Sequence, residues 1–305
     1  MTTDRRGFLL AAGGALAACS GGESPATEEA SEAAGPTFDH AIGAQLYTLR
    51  YVLPDDPAKV LRDLASIGYS EVEVLQATFG ELRPMIEDAG LKSVSMHMVS
   101  QVITGNWGDG NKPELTTTEA VAEWAAGAGI GYLVMPYLSQ DDRGDNLDHY
   151  KALAEKLNAA GAAAKAAGLG FTYHNHAFEF EPMEGSTPLA TLMENTDPEL
   201  VQLELDVFWV GVAGNDPVSV LGEYAGRTPL VHLKDKAASA PTQYKEGAPK
   251  EAFEEVGDGT LDFPAVLRAC KSAGVQHYFV EQDQTPGDPL ASLRQSYEYL
   301  RTVEV

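Results

Sequence analysis

Cysteine is almost missing from this chain. Of 305 residues two are cysteines, Cys19 and Cys270; Cys19 ends the N-terminal apolar run, so the folded part has no intramolecular disulfide to draw on. Basic residues are the second shortage. Against 45 Asp and Glu stand 21 Lys and Arg, a formal charge of −24. Such an excess repels phosphate backbones and anionic headgroups, which argues against a nucleic-acid partner and against a membrane held by charge. Long apolar runs are absent too. The N-terminal run is too short and too rich in Gly and Ala for a transmembrane helix, which needs about 20 residues. What the chain does have is 44% hydrophobic residues and 8% aromatics, enough for a full core in one large α/β domain or two ordinary ones.

The segment "DRRGFLLAAGGALAACS" opens with Arg5-Arg6, continues through Phe8-Leu9 and small apolar residues, and ends at Leu16-Ala17-Ala18-Cys19. It resembles a twin-arginine signal peptide joined to a lipoprotein cleavage box. The resemblance implies that residues 1–18 are a signal peptide and that Cys19 is lipidated as the first residue of the mature protein. The chain is then exported by the twin-arginine route as a periplasmic or cell-surface lipoprotein, touching the membrane only through its N-terminal lipid anchor. Residues 19–40 read as a flexible linker. Cys270, inside a helical segment, reads as a small buried residue.

From residue 41 short β-branched runs alternate with longer segments of helical period. Eight such runs are counted, at 42–47, 70–75, 92–98, 131–137, 170–176, 201–207, 230–235 and 277–283. Asp56-Pro57 and Asp216-Pro217 suit an N-cap followed by proline, and Gly68, Gly90, Gly168 and Gly274 suit helix ends. The expected fold class is α/β, a single (β/α)8 TIM barrel over residues 41–305. A doubly wound sheet normally carries a Gly-rich phosphate turn after its first strand, and "AQLYTLRYVLPDDP" has none. Two loops, 99–116 and 236–260, are long enough to be functional lids.

Barrel chemistry belongs at the C-terminal strand ends. Those ends carry His97, His174 and His176, Asp206, His232 and Lys234, and Glu281. Side chains two apart on a strand share a face, so Glu204 pairs with Asp206, His232 with Lys234 and Glu281 with Asp283. His174, Asp206, His232 and Glu281 would form a mixed nitrogen and oxygen site for a divalent metal, with Mn²⁺ the leading expectation and Zn²⁺, Co²⁺ or Fe²⁺ as alternatives. Whether His174 or His176 is the ligand stays open at this point.

The stretches "QLYTLR", "YHNHAFEF", "ELDVFW", "VHLKD", "VGDGTLDF" and "YFVEQD" resemble the xylose isomerase-like TIM barrel family, often labelled sugar phosphate isomerases and epimerases, over residues 41–303. In the family's ketose 3-epimerases the metal is held by a carboxylate from the fifth strand, then an Asp, a His and a Glu. The last three match Asp206, His232 and Glu281. The first does not, because His174 stands in its place, and that Glu is also one of the epimerases' two acid/base groups. A His-rich fifth strand is similar to inosose dehydratase-like members.

The resemblance implies a metal-dependent isomerase or epimerase acting by α-proton abstraction on an unphosphorylated sugar or keto-sugar. A second expectation is a 3-keto-glycoside lyase or dehydratase, and a third is a non-catalytic sugar-binding lipoprotein. Type IV apurinic endonucleases share the fold, but the acidic charge opposes DNA. Glu281 is expected as ligand and base, and His176 as a second acid/base. Lys234 is expected to stabilise an oxyanion or to pair with a neighbouring carboxylate. Gln45, Tyr47, Glu73, His97 and Trp107 are candidate sugar contacts. Glu179 is a candidate for orienting a ligand histidine.

Overall fold

The eight β-branched runs become the eight parallel strands of a closed barrel in the computed structural model, which describes residues 37–108, 112–245 and 247–305. In chain order the strands are β1 (Ile42–Gln45), β2 (Glu71–Leu75), β3 (Lys92–His97), β4 (Tyr132–Met135), β5 (Gly170–His174), β6 (Gln202–Asp206), β7 (Leu230–Leu233), β8 (Asp235–Lys236), β9 (Phe253–Glu254) and β10 (His277–Val280). The barrel runs β1-β10-β7-β6-β5-β4-β3-β2 and closes where β2 returns to β1; β8 and β9 form a separate antiparallel pair.

Helices α1 (Pro57–Ile67), α2 (Gln76–Asp88), α3 (Gln101–Thr104), α4 (Thr118–Gly127) and α5 (Leu147–Ala166) lie in the first half. α6 (Pro188–Glu194), α7 (Val207–Val212), α8 (Pro217–Glu223), α9 (Phe263–Ala273) and α10 (Pro289–Thr302) follow. The caps form as the sequence suggests: the Asp56 side chain accepts from Lys59 N, and Asp216 from Val218 N and Ser219 N. No described helix is long and apolar enough to cross a membrane.

Two apolar layers make the core. Helix-facing residues such as Leu61, Leu64, Leu203 and Leu233 are fully buried between ring and barrel, each stabilising by about 2 kcal/mol. Inside the barrel Val94, Val134, Leu230 and Phe279 form a separate plug. Gly43 makes room for it, since a Cβ there would meet the Phe279 ring at 2.5 Å. The interior above this plug is polar, and the inward residues of the strand ends form it.

Several expectations need revision. The strand read at 42–47 stops at Gln45, whose side chain accepts from Tyr47 N and turns the chain into a short 3₁₀ segment, Leu46–Leu49. The strand read at 170–176 stops at His174. Residues 37–40, read as linker, begin the barrel instead: Phe38 N donates to Val303 O at 3.1 Å, and the Phe38 ring packs edge-on to Tyr278. Neither long loop is structureless. One contains α3, and the other contains the β8–β9 pair. The signal peptide and Cys19 lie outside the described residues. Cys270 is buried as expected, and burial pushes its thiol up to about 12.

Candidate active site at the barrel mouth

Each functional side chain owes its place to strand parity plus one local device. Asp206 ends β6 and also caps α7, its Oδ1 accepting from Phe208 N at 2.9 Å and Trp209 N at 3.1 Å. That fixes one oxygen and turns Oδ2 towards the barrel axis. Asn175, the residue after β5, braces the Asp206 backbone: Asp206 N donates to its Oδ1 at 3.0 Å. Glu179 holds the next turn, accepting from Tyr173 Oη and His176 N, both at 2.8 Å. It therefore orients the backbone of His176. Burial pushes Glu179 up to about 7, against those two donors.

At the centre of the mouth sits Lys234, 2% exposed. Its Nζ lies 2.9 Å from Asp206 Oδ2, 2.7 Å from Glu281 Oε2 and 3.2 Å from Asp283. Burial opposes the ammonium, but the three carboxylates outweigh it and hold Lys234 well above its ordinary range. Burial works against Glu281 too, yet Lys234 and His232 keep it well below the usual carboxylate range. Burial lifts Asp283 to about 6 despite Lys234, and it raises Asp206.

Beneath lies a layer of imidazoles and carboxylates. His232 is fully buried, with Nδ1 2.8 Å from Glu281 Oε2 and Nε2 2.7 Å from Glu73 Oε1. His97 Nε2 is 2.8 Å from Glu73 Oε1 and 3.3 Å from Glu204 Oε2. Gln45 and Ser95 both donate to Glu73. Burial disfavours charge throughout this layer. For His97 and His232 the glutamates overcome it, lifting His97 to about 9 and His232 well above its ordinary value. His174 has no such help: burial and the surrounding His232, His176, His97 and Lys234 hold it well below, so its ring is neutral.

The cavity above, 510 Å³, is lined by Tyr47, His97, His174, His176, Trp209, Lys234, Glu281 and Asp283, with apolar neighbours. Of the expected sugar contacts Tyr47 and His97 reach it. Gln45 and Glu73 do not, being fully buried below its floor. Trp107 is absent from its lining and lies under the Lys112 ammonium at 5.5 Å. Asp283 and Glu204 were missing from the expected site. Shared parity with Glu281 and Asp206 was the signal that could have placed both.

The mouth fits a divalent cation. Asp206, His232 and Glu281 each offer an atom within 4.8 Å of the others. With Nδ1 unprotonated, His232 keeps its Nε2–H on Glu73 and turns a lone pair towards both carboxylates, the usual way a second carboxylate orients a ligand histidine. A cation there competes with Lys234 for the same oxygens. His174 stands slightly apart, its Nε2 3.8 Å from Asp206 Oδ2 and its Nδ1 facing Glu204.

A closed parallel barrel with this polar mouth places the chain in a family. The profile of the xylose isomerase-like TIM barrel matches residues 61–303, and the chain belongs to that family. Inosose dehydratase of Clostridium perfringens is 31% identical over 166 residues, 51% of this chain and 55% of that protein. The chain thus spans little more than half the length of this relative. A sugar phosphate isomerase/epimerase from Parabacteroides distasonis superposes with a TM-score of 0.72 at 26% identity, covering 86% of this chain and 98% of that one. The 3-keto-D-glucoside 4-epimerase of E. coli shares the fold, with a TM-score of 0.64 at 18% identity over 87% of this chain and 100% of that one.

Proposed function

We propose that this protein is a carbon–oxygen lyase acting on an unphosphorylated keto-sugar, removing the proton α to a ketone and expelling the β-oxygen substituent. One observation carries the choice over epimerisation. Among the described residues, the only carboxylates lining the cavity are Glu281 and Asp283, both from the end of β10. Two-base epimerisation needs acid/base groups on opposite faces of the reacting carbon. The fifth-strand position that supplies the second carboxylate in epimerases is here His174, buried and neutral. Elimination needs one base and one acid.

Asp283 is the base in this reading: of the three carboxylates on Lys234 its contact is the longest, 3.2 Å against 2.7 and 2.9 Å, burial raises it to about 6, and Glu281 is also held by His232. It takes the α-proton, the electron pair moves through the enolate, and the β C–O bond breaks. His176, also lining the cavity, returns a proton to the departing oxygen. Lys234 faces the developing oxyanion. A divalent ion on Asp206, His232 and Glu281, when bound, supplies Lewis acidity to the carbonyl oxygen. A 3-keto-glycoside would lose its aglycone and a keto-inositol would lose water. The dehydratase relative supports this class of chemistry.

Phosphate is disfavoured because Lys234 is the single Lys or Arg among the described residues lining the cavity and is already shared by three carboxylates. Export as a lipoprotein, if residues 1–19 act as their pattern implies, points the same way.

Proton NMR in D₂O with 3-keto-glycosides and inososes tests the reading. The expected result is an unsaturated ketone with loss of aglycone or water. Deuterium entering an intact epimer would sink the lyase, and full activity in His232→Ala and Glu281→Ala would sink both chemistries.

A further inference from the structure

The layer under the mouth holds more metal-binding chemistry than the mouth uses. Three ligand-type groups there are not needed above: His97 from β3, His174 from β5 and Glu204 from β6. His174 Nδ1 and Glu204 Oε1 are buried atoms with no hydrogen-bond partner, an arrangement that is destabilising when nothing occupies the space between. Their residues are 2% and 0% exposed.

The spacing is informative. His97 Nε2 and His174 Nδ1 lie 3.3 and 3.4 Å from the same oxygen, Glu204 Oε2. Those distances are long for hydrogen bonds between such groups, but they match the edge of a tetrahedron with bonds of about 2.0–2.1 Å, which is roughly 3.3–3.4 Å. These atoms, with His232 Nε2, all fall within 4.8 Å of one another.

We propose that His97 Nε2, His174 Nδ1 and Glu204 hold a second divalent cation of the zinc or cobalt class, one layer below Asp206, His232 and Glu281. Two imidazoles and a carboxylate suit Zn²⁺ and Co²⁺ better than Mg²⁺ or Ca²⁺. No ligand is shared with the mouth set. His232 Nε2 stays on Glu73 at 2.7 Å, and His174 presents its other nitrogen to Asp206 at 3.8 Å. Glu73, 2.8 Å from the His97 nitrogen, is the nearest further anion. The ion ties three barrel strands together under the cavity and fixes the His97 and His174 rings that line it. This inference stands whether or not the mouth set binds a metal.

The competing arrangement is a proton network: a protonated His97 bridging Glu73 and Glu204, with a water beside His174. Metal content separates the two. The full-length chain is stripped with chelator, loaded with Co²⁺ and dialysed, then measured for bound metal and visible absorption, since tetrahedral Co²⁺ absorbs far more strongly than six-coordinate Co²⁺. The wild type is expected to hold two ions with intense bands. Glu204→Gln and His97→Asn are each expected to hold one and to lose those bands, while Asp206→Asn keeps the bands and loses the other ion.

One ion lost in Asp206→Asn but retained in Glu204→Gln and His97→Asn overturns the proposal, as does no bound ion at all. A single ion with the reverse pattern upholds it while sinking the mouth reading. Should the lower-layer variants fail to fold, anomalous diffraction from zinc-loaded wild-type crystals decides. A peak at about 2 Å from His97 Nε2 and His174 Nδ1 supports the site, and water or nothing there refutes it.

Discussion

Replacing Lys234 by methionine keeps the length of the side chain and removes its charge. In the native protein that ammonium lies within 3.2 Å of three carboxylates, on Asp206, Glu281 and Asp283, and is 2% exposed. Removing one partner from a buried ionic cluster leaves the others uncompensated, a loss of about 3–5 kcal/mol. For a domain of this size each kcal/mol moves Tm by roughly 2–4 °C, so Lys234→Met should melt on the order of 10 °C below the wild type in chelator at pH 7.5. Two further readouts belong to the same experiment. The deficit should shrink towards pH 5, because the stranded carboxylates of the variant bind protons that the unfolded chain has released. Saturating Mn²⁺ should raise the Tm of the variant more than that of the wild type, since the cation then has no ammonium to displace. Differential scanning calorimetry with and without metal measures all three. A variant within 2 °C of wild type in chelator would show that Lys234 is not the counter-charge of the mouth, and the reasoning would fail there.

Three other outcomes follow from the geometry. Glu179 is raised to about 7, so between its unfolded value of 4.5 and that pH the native state holds a proton the unfolded state has lost, and stability falls as pH rises through the window; denaturant titrations at pH 4.5 and pH 8 should show Glu179→Gln lacking about 3 kcal/mol of that fall, and equal slopes in the two proteins would refute it. The Asp235 carboxylate accepts from the backbone N–H groups of Lys236, Gly257, Gly259 and Leu261 at 2.7–3.2 Å; Asp235→Ala should cost about 2–4 kcal/mol and speed proteolysis within 255–261, visible by mass spectrometry. Gly43→Ala pushes a methyl into the Phe279 ring, and overpacking of about 1–3 kcal/mol should appear as a lower urea midpoint with unchanged m-value.

The barrel was legible because its signals are periodic and local: β-branched runs at regular spacing, Asp-Pro starts and glycine stops. The mouth was legible for a related reason, since parity alone sends His232 and Lys234, or Glu281 and Asp283, to one face. Parity does not give depth along the axis. Gln45 and Glu73 share the inward face of their strands, but their side chains are taken up by the buried network with Ser95, His97 and His232 and do not line the cavity. Nor does parity show which nitrogen of His174 faces which carboxylate. α7 was hidden because Asp206 serves as strand end, cap and site residue together, leaving no separate helix signal. Asn175 was overlooked because its role is to brace backbone across two strands, a partnership invisible in one segment.

His174 and His232 each stand between two chemical compartments, with one nitrogen turned to the mouth and the other to the layer below. A neutral imidazole has a single N–H to place. Whatever lone pair the mouth demands from His232 therefore puts a hydrogen on the Glu73 side, and a lone pair demanded from His174 below puts one on the Asp206 side. The two rings therefore differ: His174, held neutral, has one hydrogen to place between the compartments, whereas His232, held above its ordinary value, keeps an N–H on Glu73 whether the mouth takes its other nitrogen's lone pair or leaves it protonated.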